Sequence, residues 1–327
     1  MKIAIDAVGG DFYPHNPIIG ALDALSERSD IHLLLLGPET LINEELEKHT
    51  YDKSKVTVID APDIIGMDES PSNAVKNKQN SSIVKGLSMH AAGKCDAFVS
   101  AGNTGALMAA SVLILGRLPG VLRPTIGSTY PSIHGNKFMV DVGANAEVKP
   151  EALLQFGKMG KVFAKNILGI ENPTMALINV GEEAEKGTET VKQAYKLMQN
   201  IPGFIGNIEG RDIMQGKADV YICDGFVGNI LLKYGESLPN NLKSIIQSAM
   251  MRLKLSPEQM KLVGEVLKES FRPFDYTLVG GVPFLGVNGI SLVGHGGSPP
   301  IAIKNMIFTA AKMVEMKVND KITSELN

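Results

Sequence analysis

The stretch KIAIDAVGGD, residues 2–11, is an apolar run that ends on a cluster of small and polar residues. Four further runs repeat this pattern: AFVSAGNTGALMAA (97–110), FMVDVGANAEV (138–148), VYICDGFVGNILLK (220–233) and ISLVGHGGSPPIAI (290–303). In a parallel α/β sheet, ligands bind beyond the carboxyl ends of the strands. Glycines allow the backbone to approach a ligand closely, and amides at the start of a helix attract anions. The five runs therefore predict a single polar surface that binds an anionic ligand.

Strand-like runs alternate with helical patterns along most of the chain. The strand candidates are residues 3–6, 32–36, 55–60, 97–100, 137–141, 174–179, 203–207 and 220–223. The intervening runs, such as 18–28 and 153–168, carry apolar residues at helical spacing. This alternation is typical of βαβ units, whose connections are right-handed. We therefore expect a single α/β unit over residues 1–327, with a doubly wound, mostly parallel sheet in Rossmann-like layers.

Residues 237–274 differ from the rest because they lack a strand signal and predict two helices. The break falls at Ser256-Pro257, where Ser256 is a good N-cap and Pro257 a good first helical residue. The apolar positions at helical spacing are Leu242, Ile245, Ile246, Ala249, Met250 and Leu253, then Met260, Val263, Val266, Leu267 and Phe271. Such a protruding helical hairpin can pack on the sheet or on a second subunit, or its basic amphipathic face can contact a membrane or an acidic protein. The pattern alone favours the subunit contact.

Composition excludes several classes of protein. The net charge of −3 gives no reason to expect a nucleic-acid partner. Cys95 and Cys223 have no ligand spacing around them, and Cys223 lies in an apolar run, which predicts a buried structural thiol. The chain starts on a strand without a signal-peptide pattern, and no apolar run reaches the length of a bilayer span. We expect a cytoplasmic protein, for which association with a membrane surface remains open.

The common catalytic signatures are absent from the sequence. It contains no G-x-S-x-G nucleophile elbow, no Walker A motif, no H-E-x-x-H and no complete G-x-G-x-x-G. It also lacks the His and Asp separated by four residues that membrane glycerolipid acyltransferases use. The residues that remain are backbone amides, Asn side chains and a few charges, so the sequence predicts neither a metal nor a cofactor.

Two polar turns open apparent helices. The segment from Gly102 to Gly105, GNTG, suits an oxyanion or a phosphate at a helix N-terminus, but it can equally be an N-cap turn without a ligand. The segment from Asp224 to Asn229, DGFVGN, repeats the design with a carboxylate first. Capping alone does not require both of its glycines, so this second turn is the stronger candidate for a site.

Two further turns carry candidate donors. Asn145 ends the segment DVGAN and can donate to a ligand. His295 starts the segment HGGS before Pro299-Pro300 and the last helix. A lone His is usually structural, but a His next to glycines at an apparent strand end is better placed for function.

Together these segments resemble the bacterial phosphate acyltransferases, or acyl-ACP:phosphate transacylases, of phospholipid synthesis. The matching segments are IAIDAVGGD (3–11), SAGNTGAL (100–107), DVGAN (141–145), LINVGEEAEKG (177–187), NIEGRD (207–212), DVYICDGFVGNILL (219–232), GGVPFLG (280–286) and HGGS (295–298). They cover nearly the whole chain in the family's motif order. Val8 replaces the usual Met and Gly297 a common Ser. The run VKNKQN (75–80) is less basic than the family's, which weakens the case for phosphate binding there.

The resemblance implies that the enzyme moves a fatty acyl group from the thioester of acyl carrier protein (ACP) to inorganic phosphate. The product, acyl phosphate, would serve the synthesis of phosphatidic acid and phospholipid. Phosphate is itself a nucleophile, so no acyl-enzyme is needed, and this explains the missing nucleophile motif. The enzyme would have to hold phosphate near the carbonyl and stabilise the developing charge.

The resemblance also implies roles for individual residues. Lys186 would supply a positive charge for the phosphate or the oxyanion, although it can also be a solvated lysine that balances three glutamates. Asn103, Lys186 and Asn229 would share one site. The other assignments are Gly9, Gly10, Gly102, Asn103 and Thr104 for the phosphate cradle; Asn145, Asn229 and His295 as donors; Asp11 and Asp224 to orient these donors; and Gly228 and Ser298 for substrate binding.

Related enzymes are homodimers at the membrane surface, where a membrane-bound glycerol-3-phosphate acyltransferase consumes the acyl phosphate. Residues 237–274 are the candidate segment for both contacts. Because ACP is acidic, a local basic patch is expected, formed by Arg117, Arg123 and Lys137 or by the lysines of the hairpin.

Two other classes remain open from the residues alone. A dehydrogenase of the isocitrate or isopropylmalate type is similar in architecture, but it would need metal-binding aspartates and a nicotinamide site, for which no convincing spacing is present. A non-catalytic protein that binds phosphate or an acyl chain would not need so many polar strand ends.

Overall fold

The computed structural model describes residues 1–326, with the side chain of Tyr276 excepted. Over these residues eleven strands form one sheet. The strands are β1 Lys2–Asp6, β2 His32–Gly37, β3 Val56–Asp60, β4 Ala97–Ser100, β5 Thr125–Ser132, β6 Gly135–Val140, β7 Met175–Ile178, β8 Phe204–Ile208, β9 Val220–Ile222, β10 Val282–Leu285 and β11 Ser291–Val293. Their order across the sheet is β3-β2-β1-β4-β11-β10-β5-β6-β9-β7-β8.

Twelve α-helices flank the sheet within the same residues. They are α1 His15–Glu27, α2 Glu39–Leu46, α3 Pro71–Asn77, α4 Ser82–Ala91, α5 Thr104–Ala110, α6 Pro150–Asn166, α7 Glu189–Met198, α8 Gly210–Ile213, α9 Gly225–Arg252, α10 Pro257–Phe271, α11 Pro300–Glu315 and α12 Val318–Leu326. A π-helical turn, Ser111–Leu115, follows α5, and short 3₁₀ turns span Lys53–Lys55, Arg272–Phe274 and Tyr276–Leu278.

Most neighbouring strands of the sheet are parallel, which confirms the expected α/β class. Pairing is antiparallel at three places: β11 with β10, β10 with β5, and β5 with β6. Three reversals in succession make β6, β7, β8 and β9 run opposite to β1, β2, β3, β4 and β11. The carboxyl ends of the two halves therefore lie at opposite edges of the sheet. The expectation that all five polar runs end at one edge is wrong for this reason.

The strands are buried on both faces, as a sheet covered by helices requires. Along β1, Ile3 and Ile5 belong to one hydrophobic cluster while Ala4, between them, belongs to the other. The ring of Phe138 in β6 stacks on Phe163 of α6, with 4.3 Å between the ring centroids. These packed layers hold the strand ends, and the loops that follow them, in fixed positions.

The predicted helical hairpin is present, and it breaks at Ser256-Pro257. Ser256 caps α10 through a reciprocal capping box with Gln259, and Pro257 is the first helical residue. The first helix differs from the prediction because α9 begins at Gly225 and continues without a break through 28 residues. Among residues 1–326, no helix combines the length and the apolar character that a membrane crossing requires.

Large apolar side chains of the hairpin face solvent in the single chain. The exposed fractions are 61% for Ile245 and 73% for Leu253 on or just after α9, and 63% for Leu262 and 56% for Val266 on α10. No residue of α10 is buried. Packing within one chain therefore leaves these positions uncovered.

Candidate active site

A cavity of about 450 Å³ lies on one face of the sheet, over the antiparallel strands at its centre. β5, β10 and β11 contribute to its floor, α9 forms one wall, and Thr104 at the start of α5 contributes to the lining. Much of the lining is apolar and includes Ile126, Tyr130, Val142, Leu232, Val282 and Val293. This volume and lining are typical of a site for a small molecule with an apolar part.

The cavity extends along the strands instead of lying at one edge of the sheet. As a result it receives residues from four of the five polar runs, although the strands point in opposite directions. The run 97–110 contributes Thr104, 138–148 contributes Gly143, 220–233 contributes Asn229, and 290–303 contributes His295 and Ser298. The run 2–11 lines no part of it.

Asn229 lies near the start of α9, beside the loop that follows β6. A Cβ atom on Gly143 would lie 3.6 Å from Asn229 Oδ1, so the glycine brings the loop close to this side chain. Within residues 1–326, the side chain of Asn229 is exposed and makes no hydrogen bond to the protein. Its amide can therefore donate to a ligand in the cavity.

His295 and Lys233 contact the same carboxylate, that of Glu236 on α9. His295 Nε2 lies 3.3 Å from Glu236 Oε1, and Lys233 Nζ lies 2.9 Å from Glu236 Oε2. Burial alone raises the pKa of Glu236, but the hydrogen bonds from His295 and Lys233 outweigh it and hold the pKa below its usual value. All three side chains line the cavity, so this part of it is charged.

Asp141 holds together the loop that carries Gly143. Its carboxylate is fully buried and accepts five hydrogen bonds. Oδ1 accepts from the backbone N–H of Ile126 (3.3 Å), Gly143 (3.1 Å) and Ala144 (3.0 Å), and Oδ2 accepts from the backbone N–H and side-chain amide of Asn145 (both 2.8 Å). Burial raises the pKa of Asp141, and these donors act in the opposite direction. The loop beside Asn229 is therefore rigid.

Comparison with known proteins identifies the family. A family described as "Fatty acid synthesis protein" matches residues 1–321. A phosphate acyltransferase from Chlorobaculum parvum is 45% identical over 100% of this chain and 99% of its own length. One from Clostridium novyi is 43% identical over 100% of this chain and 98% of its own. The chain belongs to the phosphate acyltransferase family. It is an acyltransferase of lipid synthesis, which removes the dehydrogenase and the non-catalytic binding protein as alternatives.

Solved structures of other acyltransferases share the fold. A phosphotransacetylase from Streptococcus pyogenes superposes with a TM-score of 0.61 and 16% identity, over 96% of this chain and 94% of that one. A branched-chain phosphotransacylase from Enterococcus faecalis gives 0.57 and 12% identity, over 96% and 99%. At such low identity the likeness shows the fold alone.

The start of α9 packs tightly against the loop that follows β6. Asp224 caps the helix by accepting a hydrogen bond of 2.8 Å from the Val227 N–H. A Cβ on Gly225 would lie 2.8 Å from the carbonyl oxygen of Asn145, and one on Gly228 would overlap the carbonyl oxygen of Asp141. Close packing of the helix on the loop after β6 thus explains both glycines, which the sequence had favoured as signs of a ligand.

The glycines after β1 and β4 also serve packing in this acyltransferase. The amides of Gly9, Asp11 and Gly102 donate to Asp6, Gly296 and Ser100 respectively, so none of the three faces a ligand. A Cβ on Gly10 would lie 2.7 Å from the Gly296 carbonyl oxygen. Asp6, whose pKa is raised by burial, accepts a hydrogen bond of 2.6 Å from Ser100 beneath this cluster. The amides of Gly9 and Gly102 are thus paired within the chain, and the predicted phosphate cradle stays a prediction.

Two predicted polar residues have their hydrogen bonds satisfied within the chain. Asn103 caps α5 at Ala106, and its amide nitrogen lies within 3.2 Å of three carbonyl oxygens of residues 66–69. The amide of Asn145 donates to Asp141 and to the Pro124 carbonyl oxygen, both at 2.8 Å. Both side chains order loops around the cavity, and their predicted contact with substrate stays a prediction.

Lys186 lies in the loop after β7, exposed to solvent and outside the cavity lining. In the sheet, β9 lies between β7 and β6, so this loop is one strand removed from the loop that carries Gly143. Asn229 lines the cavity, whereas Asn103 and Lys186 do not. The cavity thus includes one of the three residues, and a site shared by Asn103, Lys186 and Asn229 stays a prediction.

Lys233 and Glu236 are charged cavity residues that the sequence prediction missed. They follow Asn229 on α9 at i+4 and i+7, the spacing of one helical face. Continuing the helix from Asn229 would have placed all three side chains together. Among the residues described, no group of three His, Cys, Asp or Glu side chains could hold a metal ion. Cys223 is buried, as predicted, and burial raises the pKa of its thiol.

Proposed function

We propose that the enzyme transfers a fatty acyl group from acyl-ACP to inorganic phosphate, without an acyl-enzyme. A phosphate oxygen attacks the thioester carbonyl carbon, and a tetrahedral intermediate forms. The C–S bond then breaks, and the electron pair leaves on the sulfur of the carrier protein, which takes up a proton. Acyl phosphate and free carrier thiol are the products.

The observation that supports this proposal is a largely apolar cavity that contains hydrogen-bond donors and the ammonium group of Lys233 but, over the described part of the chain, no activated nucleophile. Ser128 and Ser298 line the cavity, and a nucleophilic serine needs a base within hydrogen-bond reach. Within residues 1–326, the hydrogen bond that Ser128 Oγ makes goes to the Thr129 carbonyl oxygen at 3.4 Å, and neither hydroxyl is paired with a base. Phosphate supplies its own nucleophilic oxygen, so such a pair is unnecessary.

We assign roles to the residues that line the cavity. Asn229 donates to the thioester carbonyl oxygen, where negative charge develops in the intermediate. His295 donates to the phosphate or to the departing sulfur. Thr104 and Ser298 line the part of the cavity where phosphate binds. The acyl chain lies along the apolar side chains of β5, β10 and β11.

We propose that the exposed apolar face of residues 237–274 makes the homodimer contact, the membrane contact or both. Ile245, Leu253, Leu262 and Val266 support this, because each is more than half exposed in the single chain. The enzyme would then work in the cytoplasm, at the inner face of the membrane, where a membrane-bound glycerol-3-phosphate acyltransferase takes the acyl phosphate.

Release of carrier thiol from acyl-ACP, measured with and without inorganic phosphate, tests the reaction. Thiol release that depends strictly on phosphate supports the proposal. Incubation with radiolabelled acyl-ACP in the absence of phosphate, followed by mass spectrometry of the protein, tests the direct attack. A stoichiometric burst of thiol together with an acylated protein would refute it.

A further inference from the structure

We propose that Lys233 is the phosphate-binding cation of the cavity and that Glu236 is a positioning residue that holds Lys233 beside His295. The inference rests on the proposed function, because it names the positive charge that a bound phosphate requires. It also replaces Lys186, which the sequence had favoured for this role and which lies outside the cavity.

The first argument is the charge of the ligand. Inorganic phosphate is anionic at neutral pH, and anionic oxygens are bound most strongly by charged donors. Among residues 1–326, Lys233 is the one Lys or Arg side chain that lines the cavity. Any other lysine or arginine would have to reach the cavity from outside its lining.

The second argument is the bridge that Glu236 makes between two walls of the cavity. Its Oε2 lies 2.9 Å from Lys233 Nζ on the same helix, and its Oε1 lies 3.3 Å from His295 Nε2 in the loop after β11. The side chain of Glu236 is 29% exposed, so it is partly shielded from solvent. One carboxylate thus holds both groups at a fixed spacing.

The third argument is electrostatic. Lys233 and a protonated His295 would repel each other across a narrow site, and the carboxylate between them offsets this repulsion. An ammonium group has three donors, so Lys233 can keep its contact with Glu236 while it donates to a phosphate oxygen. Its side chain is 58% exposed, which leaves one side of the ammonium open to a ligand.

The fourth argument is the alignment of residues along α9. Asn229, Lys233 and Glu236 occupy one helical face at positions i, i+4 and i+7. The helix therefore places the donor for the thioester carbonyl within about one turn of the cation for the phosphate. A single rigid element positions both reactants.

Isothermal titration of the full-length enzyme with inorganic phosphate tests the assignment. In Lys233→Gln, phosphate binding should weaken at least about tenfold, whereas Lys233→Arg, which keeps the charge, should retain most of it. Lys196→Gln removes an exposed lysine of α7, outside the cavity lining, and serves as the control. The proposal would be overturned if Lys233→Gln bound phosphate as tightly as Lys196→Gln, or if Lys186→Gln alone lost phosphate binding.

Steady-state kinetics separate the two roles. Lys233→Gln should raise the KM for phosphate about tenfold and leave the KM for acyl-ACP unchanged. Glu236→Gln should raise the KM for phosphate less than Lys233→Gln does and should also lower kcat, because it loosens both Lys233 and His295 without removing the cation. The fold loss of kcat/KM for phosphate in the double variant should be smaller than the product of the fold losses in the two single variants, since the residues act as a unit. Independent, multiplicative losses would contradict the positioning role of Glu236.

The binding experiment stands apart from the proposed reaction. A wild-type enzyme that binds phosphate but forms no acyl phosphate would refute the function and leave the Lys233 assignment to be decided by titration. A wild-type enzyme that forms acyl phosphate while Lys233→Gln binds phosphate normally would refute the assignment and leave the function standing.

Discussion

Replacing Asp141 by asparagine is predicted to destabilise the enzyme strongly, although the two side chains have nearly the same shape. The Asp141 carboxylate accepts three N–H groups on Oδ1 and two on Oδ2. An asparagine keeps one oxygen and replaces the other with an NH₂ group, which is a donor. Whichever way the amide is turned, at least two of these N–H groups, most of which are partly buried, then face another donor.

The size of the effect follows from this count. A buried donor left without an acceptor costs roughly 1–3 kcal/mol; because these two donors are partly buried, the lower end applies, and the free energy of unfolding should fall by about 2 kcal/mol. The loop from Gly143 to Asn145 should loosen at the same time, because its three amides all donate to this carboxylate. Acyl-phosphate formation by the folded variant should therefore fall as well.

Urea unfolding followed by far-UV circular dichroism at pH 7 measures the change. Asp320→Asn, at an exposed position of α12, is the matched control and should change the free energy of unfolding by less than about 0.5 kcal/mol. If the free energy of unfolding of Asp141→Asn lies within about 1 kcal/mol of the wild-type value, the five hydrogen bonds do not contribute to stability as argued, and the prediction is refuted.

Three further predictions concern the site, the hairpin and the response to acid. Asn229→Ala should lower acyl-phosphate formation about 10²-fold with an unchanged circular dichroism spectrum, and a wild-type rate would remove the donor role. The double variant Ile245→Ser/Leu253→Ser should weaken dimerisation or vesicle binding, since burial of each side chain contributes about 1 kcal/mol or more. Sedimentation of the variant, alone and with anionic vesicles, measures this. Sedimentation identical to that of the wild type would contradict the prediction. Burial lowers the pKa of His90, which accepts from the Ile290 N–H at 2.8 Å, so the stability it contributes is lost as the pH falls below about 6.5. The free energy of unfolding in urea should be higher for the wild type than for His90→Gln, and this difference should shrink between about pH 7 and pH 5. A difference that stays constant with pH would show that protonation of His90 is not its cause.

The α/β alternation could be predicted from the sequence because it is a local property. Buried parallel strands are short apolar runs, and the helices between them show a 3.6-residue period. β5 and β10 were missed since each contains a proline, Pro131 or Pro283, with glycines in or beside the strand, and these residues weaken a strand signal. The missed strands make the antiparallel pairings, so the reversal of the sheet was also missed.

The candidate site was predicted at the level of segments and only partly at the level of residues. Thr104, Asn229, His295 and Ser298 line the cavity, whereas Lys186 does not. A glycine that is required for close packing cannot be distinguished in the sequence from a glycine that is required for ligand binding. Which segments meet depends on strand order and direction, and these arise from contacts between distant parts of the chain.

The placement of β10 and β11 between β4 and β5 has a consequence for biosynthesis. The strands β1, β2, β3 and β4 leave the ribosome early, but the partner of β4 in the finished sheet is β11, from near the end of the chain. Until residues 282–293 emerge, β4 remains an open edge, and open edges promote association between chains. The same residues supply part of the cavity floor, so a nascent chain lacks a complete site until residues 282–293 have been synthesised.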